Sequence, residues 1–179
     1  GTSGVITLST GKSTGGKGGS ITLSVGEGNT GVGGNVIVNA GVSSASDSTG
    51  GIVSIQSGKS TARSSGAVSI STSDGGSAGV SGNIGLTTGD TSAGTTGTIS
   101  ITSGKSLGGK GGSLTLSVGD GDTGVGGDIS VKSGITSDSN IGGGITIESG
   151  KSTQTSSGAV SISTSDGGSA GVSGNIGLT

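Results

Sequence analysis

The sequence predicts an all-β chain: a parallel β-solenoid with about 15 residues per coil, about 12 coils, Gly-rich turns and no helices. Three observations predict this fold class: a short segment that recurs at a nearly constant spacing, two aliphatic columns inside it, and a column in which neighbouring charges are mostly opposite in sign. Composition alone, with 46 Gly, 38 Ser and 24 Thr among 179 residues, is typical of a flexible low-complexity chain. The fixed period is therefore the feature that indicates order.

The recurring segment reads Gly-x-Φ-x-Φ, where Φ is Val, Ile or Leu and the residue between them is usually Ser or Thr. Its first residue is called the opening glycine below. Successive opening glycines lie 15 to 17 residues apart. They are Gly4, Gly19, Gly34, Gly51, Gly66, Gly82, Gly97, Gly112, Gly127, Gly143, Gly158 and Gly174.

The two Φ positions form columns in which every member is aliphatic. Alternation at period two with many β-branched residues is typical of short strands with one buried face, so these residues are the predicted core. The first column holds Ile6, Ile21, Val36, Val53, Val68, Ile84, Ile99, Leu114, Ile129, Ile145, Val160 and Ile176. The second column holds Leu8, Leu23, Val38, Ile55, Ile70, Leu86, Ile101, Leu116, Val131, Ile147, Ile162 and Leu178.

A mostly small residue, such as Thr10 or Ala40, follows the second column and is expected to face inward. A charged residue then stands eight positions after most opening glycines, and coils stacked in register would pair Lys12 with Glu27. This pattern favours a parallel stack over an antiparallel meander or a fibre-shaft spiral, in which identical positions do not stack. The predicted inter-coil ion pairs use Lys12, Glu27, Lys59, Asp74, Asp90, Lys105, Asp120, Lys151 and Asp166.

A longer period of 92 to 93 residues lies above the short one. The stretch from Ser64 to Thr87 recurs without change from Ser156 to Thr179. The sequence therefore predicts one continuous solenoid segment over residues 1–179. It is built from a six-coil block at 1–96 and a truncated second block at 97–179, and we expect the array to continue in a longer protein.

Composition excludes several functions. Without His or Cys the usual catalytic triads cannot be built, so the chain is not expected to be an enzyme. A net charge of −2 gives no basic surface for nucleic acid, and no apolar run approaches the ~18 residues of a membrane span.

Calcium is the one cofactor to consider. The run from Gly119 to Asp128 resembles the Gly/Asp turns of calcium-binding β-rolls, and its candidate ligands are Asp120, Asp122 and Asp128. The nonapeptide spacing of those rolls is absent and the acidic residues do not recur in every coil, so no cofactor is expected. A calcium-stiffened adhesin stalk remains an alternative function.

Hydroxyl residues flank the second column and predict a further alternative. Outward ranks of Ser and Thr on a β-solenoid resemble in outline the surface of ice-binding proteins, and an adhesive face would look similar. The simpler interpretation is a wet face of β-compatible polar residues. The pairs are Thr7/Ser9, Thr22/Ser24, Ser69/Ser71, Ser100/Thr102, Thr115/Ser117 and Ser161/Ser163.

Units such as Gly66–Thr72 and Gly112–Gly119 resemble the Gly/Ser/Thr-rich repeat proteins of algal and other microbial cell surfaces, including components of extracellular hairs and fibres. The resemblance implies a secreted structural protein without an active site. The expected function is thus a repetitive segment of an extracellular filament, shaft or surface layer that associates with itself, with ice or another surface ligand as the alternative partner.

Overall fold

A computed structural model describes residues 2–179, and in this range the chain has neither a helix nor a strand. The predicted β-solenoid is therefore wrong: the chain is coil-like, and no side chain in the described range is buried. Nor does that range contain a helix of the length and hydropathy needed to cross a membrane.

The chain does not form a solenoid because each repeat closes on itself. In a stacked coil, equivalent residues about 15 positions apart would lie at strand spacing, ~4.8 Å. Here the close approach at the opening glycines is between residues nine to eleven positions apart, as between Gly19 and Thr10. The Gly-rich part of each repeat forms a loop that returns to its own base, so it does not run on to complete a coil.

These loops share one closure. The residue six positions after an opening glycine, called the closing residue below, meets the next opening glycine. A Cβ built on that glycine would lie 2.5 to 3.6 Å from the closing residue. The pairs are Thr10–Gly19, Val25–Gly34, Ala40–Gly51, Ser57–Gly66, Thr72–Gly82, Thr88–Gly97, Ser103–Gly112, Val118–Gly127, Ser133–Gly143, Ser149–Gly158 and Thr164–Gly174. The variation in repeat length is absorbed inside the loops, because the closing pair stays the same.

Backbone hydrogen bonds reinforce four of the closures. The Gly51 amide donates to the Gly41 carbonyl at 2.8 Å, and the Gly66 amide donates to the Gly58 carbonyl at 3.0 Å. The corresponding loops of the second block repeat this arrangement. They are closed by Gly143 to Gly134 at 3.0 Å and by Gly158 to Gly150 at 2.9 Å.

Each loop bends sharply at one place. Glycine is required by the backbone at Gly31 and Gly124, which occupy equivalent places in the two blocks and have φ of 81° and 80°. The bends lie at 14–16, 29–32, 45–47, 61–63, 77–79, 92–94, 107–109, 122–125, 137–140, 153–155 and 169–171.

The chain divides into two units, Gly1–Thr87 and Thr88–Thr179. Both units end on the stretch that recurs unchanged, Ser64–Thr87 in the first and Ser156–Thr179 in the second. The division falls nine residues before the predicted block boundary at 96/97. That one continuous segment spans 1–179 stays a prediction.

Candidate interaction surface

The two aliphatic columns lie on the surface. They do not form the predicted core, because every member is at least half exposed and the described residues contain no buried apolar side chain. The first column is the better covered: apart from Ile6 and Leu114, its side chains are 51–56% exposed. The second column ranges from 63% at Ile101 to 93% at Leu178. Except in the repeats of Ile6 and Leu114, each repeat thus presents one half-covered and one more open aliphatic side chain, two residues apart.

Loop closure brings these pairs into series. The closing residue stands two positions after one aliphatic pair, and the next opening glycine stands two positions before the following pair. Each closing contact within a unit therefore brings the end of one pair close to the beginning of the next. Val25 and Val118 extend the apolar surface at two closures, where they are 49% and 45% exposed. The columns and these valines form what is called the aliphatic surface below.

At two closures the contact explains why glycine opens the repeat. A Cβ on Gly34 would lie 2.5 Å from Cγ1 of Val25, and one on Gly127 would lie 2.6 Å from Cγ1 of Val118. Real Cβ atoms do not approach a neighbour this closely, so a larger residue would open the loop or displace the valine. Where the closing residue carries a hydroxyl, it can also donate: Ser133 Oγ bonds the Gly143 carbonyl at 2.7 Å, and Thr10 Oγ1 bonds the Gly19 carbonyl at 3.3 Å.

Most backbone polar groups are unpaired within the chain. Residues 2–179 make six backbone–backbone hydrogen bonds, all of them in loops. A folded protein of this length has roughly one intramolecular hydrogen bond per residue, about two-thirds of them between backbone groups. The aliphatic segments therefore carry free N–H and C=O groups beside their apolar side chains. An uncovered sheet edge presents unpaired backbone groups in the same way.

The charged and acidic candidates are not assembled into a site. The ion pairs predicted between residues such as Lys12 and Glu27 require stacked coils, which residues 2–179 do not form. In the same range, no three acidic side chains are grouped closely enough to hold a metal ion, so Asp120, Asp122 and Asp128 do not come together as calcium ligands. A nearby contact is local: the Thr123 hydroxyl donates to Asp122 Oδ1 at 3.5 Å.

The most extensive side-chain network was not singled out by sequence reasoning. Asp138 Oδ1 accepts hydrogen bonds from the Asn140 amide at 2.8 Å and from the Thr136 hydroxyl at 3.0 Å, and both of its oxygens accept from Asn140 Nδ2 at 3.0 Å. The Asn140 backbone N–H, then the Thr136 hydroxyl, then the Asn140 side chain lower the pKa of Asp138. The signal was an Asp followed two residues later by Asn, a combination typical of Asx turns.

Hydroxyls stabilise other loops in the same way. Ser60 Oγ accepts from the Arg63 amide at 2.9 Å, and Ser152 Oγ accepts from the Thr155 amide at 2.9 Å in the equivalent loop of the second block. The hydroxyl ranks predicted beside the second column have no flat sheet to lie on, because that sheet belonged to the solenoid. No pocket is found in the described chain.

Comparison with protein-family models, with curated proteins and with solved structures finds no match to this chain. The aliphatic surface and the closed loops are the features of the chain that bear on its function.

Proposed function

We propose that the chain is a non-enzymatic structural protein: a repetitive segment of an extracellular filament, shaft or surface layer. The observation that carries this proposal is the aliphatic surface, which recurs in every repeat and whose column side chains are all at least half exposed. Large apolar side chains that recur exposed along a chain are typical of a protein that works in contact with another molecule.

The accessible area supports the same function. The chain exposes 17700 Å² at a mass of 16.1 kDa. A folded monomer of this mass would expose roughly 7,400 Å². A standard interface buries only about 1,600 Å² in total. Contacts with other molecules must therefore run along much of the chain before its exposure approaches that of a folded protein, as they do in a fibre or a layer.

The closed loops let repeats of different length present the same aliphatic pairs. Each is closed at its base by a glycine and a closing residue, so repeats of 15 to 17 residues present equivalent aliphatic pairs whatever the loop length. Secretion is part of the proposal and rests on the resemblance to surface repeat proteins. The chain also lacks Cys and Met, side chains that oxidation would alter.

Electron microscopy of the purified chain tests the proposal. We expect fibres or sheets with a regular repeat to form as the concentration rises, and light scattering to report their growth. A chain that stays dispersed in both measurements up to millimolar concentration would contradict a structural role of this kind. Thermal hysteresis without assembly would instead favour the ice-binding alternative.

A further inference from the structure

A partner that covers the aliphatic surface along the chain would have to present matching groups with the same period. A second copy of this chain meets that requirement in every repeat, because it offers the same columns and the same free backbone groups at the same spacing. With a net charge of −2, two copies repel each other little. Self-association is part of the proposed function, and the inference below rests on it.

The order of the charged residues along each unit indicates how two copies are oriented. Eight residues after the opening glycines, the first unit reads Lys12, Glu27, Val42, Lys59, Asp74, and the second reads Lys105, Asp120, Ile135, Lys151, Asp166, preceded by Asp90. The five-residue order is positive, negative, apolar, positive, negative in both units. Reversing this order changes the sign of every charge and leaves the apolar residue in the middle.

We infer that a unit of one copy pairs antiparallel with a unit of a second copy through the aliphatic surface. In this arrangement Lys12 faces Asp74 and Glu27 faces Lys59, and the same holds for the second unit. Both pairs of the first unit have the same centre, at Ser43, next to Val42. The antiparallel unit pair thus makes four opposite-charge contacts and no like-charge contact among these positions.

Parallel arrangements are less complementary. Two units in parallel register place each charge against its own copy, which gives four like-charge contacts in the first unit. A parallel shift by one repeat leaves only two opposite contacts, Lys12 with Glu27 and Lys59 with Asp74. Charges of this kind set register and orientation, whereas the aliphatic columns and free backbone groups supply the affinity.

Cross-linking tests the orientation directly, because the native chain has no Cys. Ser13 follows Lys12 and Ser73 precedes Asp74, so these two serines face each other in the antiparallel pair. One full-length chain carries Ser13→Cys. The other carries Ser73→Cys together with Ser165→Cys, its equivalent in the second unit. Mild oxidation of the mixture should give a mixed disulfide in several-fold excess over disulfides from either chain alone.

The outcomes separate the inference from the proposed function. Abundant Ser13→Cys homodimer, or assembly without the mixed disulfide, would overturn the antiparallel arrangement while leaving a structural role intact. A wild-type chain that sediments as a monomer under the same conditions would overturn both, since another class of macromolecule would then have to cover the surface.

A charge-matched pair of variants tests the pattern independently. Lys12→Glu/Lys59→Glu/Lys105→Glu/Lys151→Glu makes every charge at the pattern positions negative. Lys17→Glu/Arg63→Glu/Lys110→Glu/Lys132→Glu changes the net charge equally but leaves the pattern. We expect the first variant to raise the dissociation constant of the pair at least several-fold more than the second at low salt. Equal effects would contradict recognition by the charge pattern.

Discussion

Cγ1 of Val25 lies 2.5 Å from the point where a Cβ on Gly34 would stand, and Val118 and Gly127 repeat this relationship at 2.6 Å. The glycine is therefore a consequence of how the loop closes: the valine occupies the space in which a side chain would lie. This contact fixes both ends of a loop whose interior makes few other contacts, so it offers the sharpest test of the closed-loop structure.

Gly34→Ala should open the loop between residues 25 and 34 or push Val25 off its χ1 rotamer, at a cost of about 0.5–1.5 kcal/mol. The nuclear Overhauser effect between the Val25 methyl groups and the α-protons of residue 34 measures the contact, and we expect it to weaken strongly. Gly33→Ala is the control, because a Cβ there meets nothing within 4 Å.

A second substitution checks that the cause is steric. In Val25→Ala/Gly34→Ala the offending Cγ1 is absent, and the Val25 Cβ lies 3.9 Å from the new atom, which is ordinary contact. The double variant should restore the closed loop. If it opens as far as Gly34→Ala alone, the valine is not what excludes a side chain at residue 34.

Gly75 should resist substitution for a different reason. A Cβ there would lie 2.9 Å from the Val80 carbonyl carbon and 3.0 Å from the Gly79 oxygen, and backbone atoms cannot move aside as a side chain can. Gly75→Ala is expected to break the turn at 77–79, in which the Gly79 amide donates to the Gly76 carbonyl at 3.0 Å. Faster exchange of the Gly79 amide would report this.

The neighbouring residue provides the control for that turn. Gly76→Ala places its Cβ in open space, so exchange at Gly79 should stay near the wild-type rate. The unchanged stretch of the second unit gives the same comparison between Gly167 and Gly168, where the closest approach to Gly167 is 2.7 Å. Equal behaviour of the two substitutions would show that the turn does not have this geometry.

Ser133→Ala removes the hydroxyl that donates to the Gly143 carbonyl at 2.7 Å. A hydrogen bond contributes about 0.5–1.5 kcal/mol, and the exposed position favours the lower end of that range. We expect exchange of the Gly143 amide, which closes the same loop, to rise by a factor of about 2 to 3, because the cost equals RT times the logarithm of this factor. Ser149→Ala is the matched control, since Ser149 meets Gly158 through its Cβ at 3.6 Å.

The loop around Asp138 should depend on pH. Its hydrogen bonds hold the pKa of the carboxyl below the ordinary value of 3.8, so ionised Asp138 stabilises the loop above that value. This stabilisation is lost as the pH falls through the lowered pKa. A carboxyl-carbon NMR titration should show a midpoint below 3.8, and Thr136→Val/Asn140→Ala should raise it only in part, because the backbone amide of Asn140 remains. A midpoint at or above 3.8 in the wild type would contradict the turn.

The sequence predicted the repeat and its two aliphatic columns, but not that the columns stay exposed. The opening glycines and both columns recur as read, and the residue six positions after each opening glycine is the one that meets the next. The error lay in assuming that period-two alternation must bury a face. Alternation fixes which side chains share a face, whereas burial needs a partner surface. In a chain with 46 glycines the loops close on themselves and leave Val68 or Ile99 about half exposed.

The charge pattern shows the same limit. The opposite charges of Lys12 and Glu27 do not reveal whether the partner of each lies in the next repeat or in another copy. The sign of a charge determines neither the distance to its partner nor the chain to which the partner belongs. The network at Asp138 could have been predicted from its Asx-turn spacing. The closing contact of Val25 could not, because it depends on where a nine-residue loop ends in space.

Sedimentation velocity across a concentration series tests the central claim, that copies of this chain cover the aliphatic surface. We expect the weight-average mass to rise above 16.1 kDa with concentration. Val68→Thr/Ile70→Thr/Val160→Thr/Ile162→Thr should weaken association at least about tenfold, since each loses apolar area from a column. The control Val80→Thr/Val172→Thr changes valines that lie outside both columns, directly after the bends at 77–79 and 169–171, and should leave association unchanged. A wild-type chain that stays at 16.1 kDa, or equal association of the two variants, would contradict the claim.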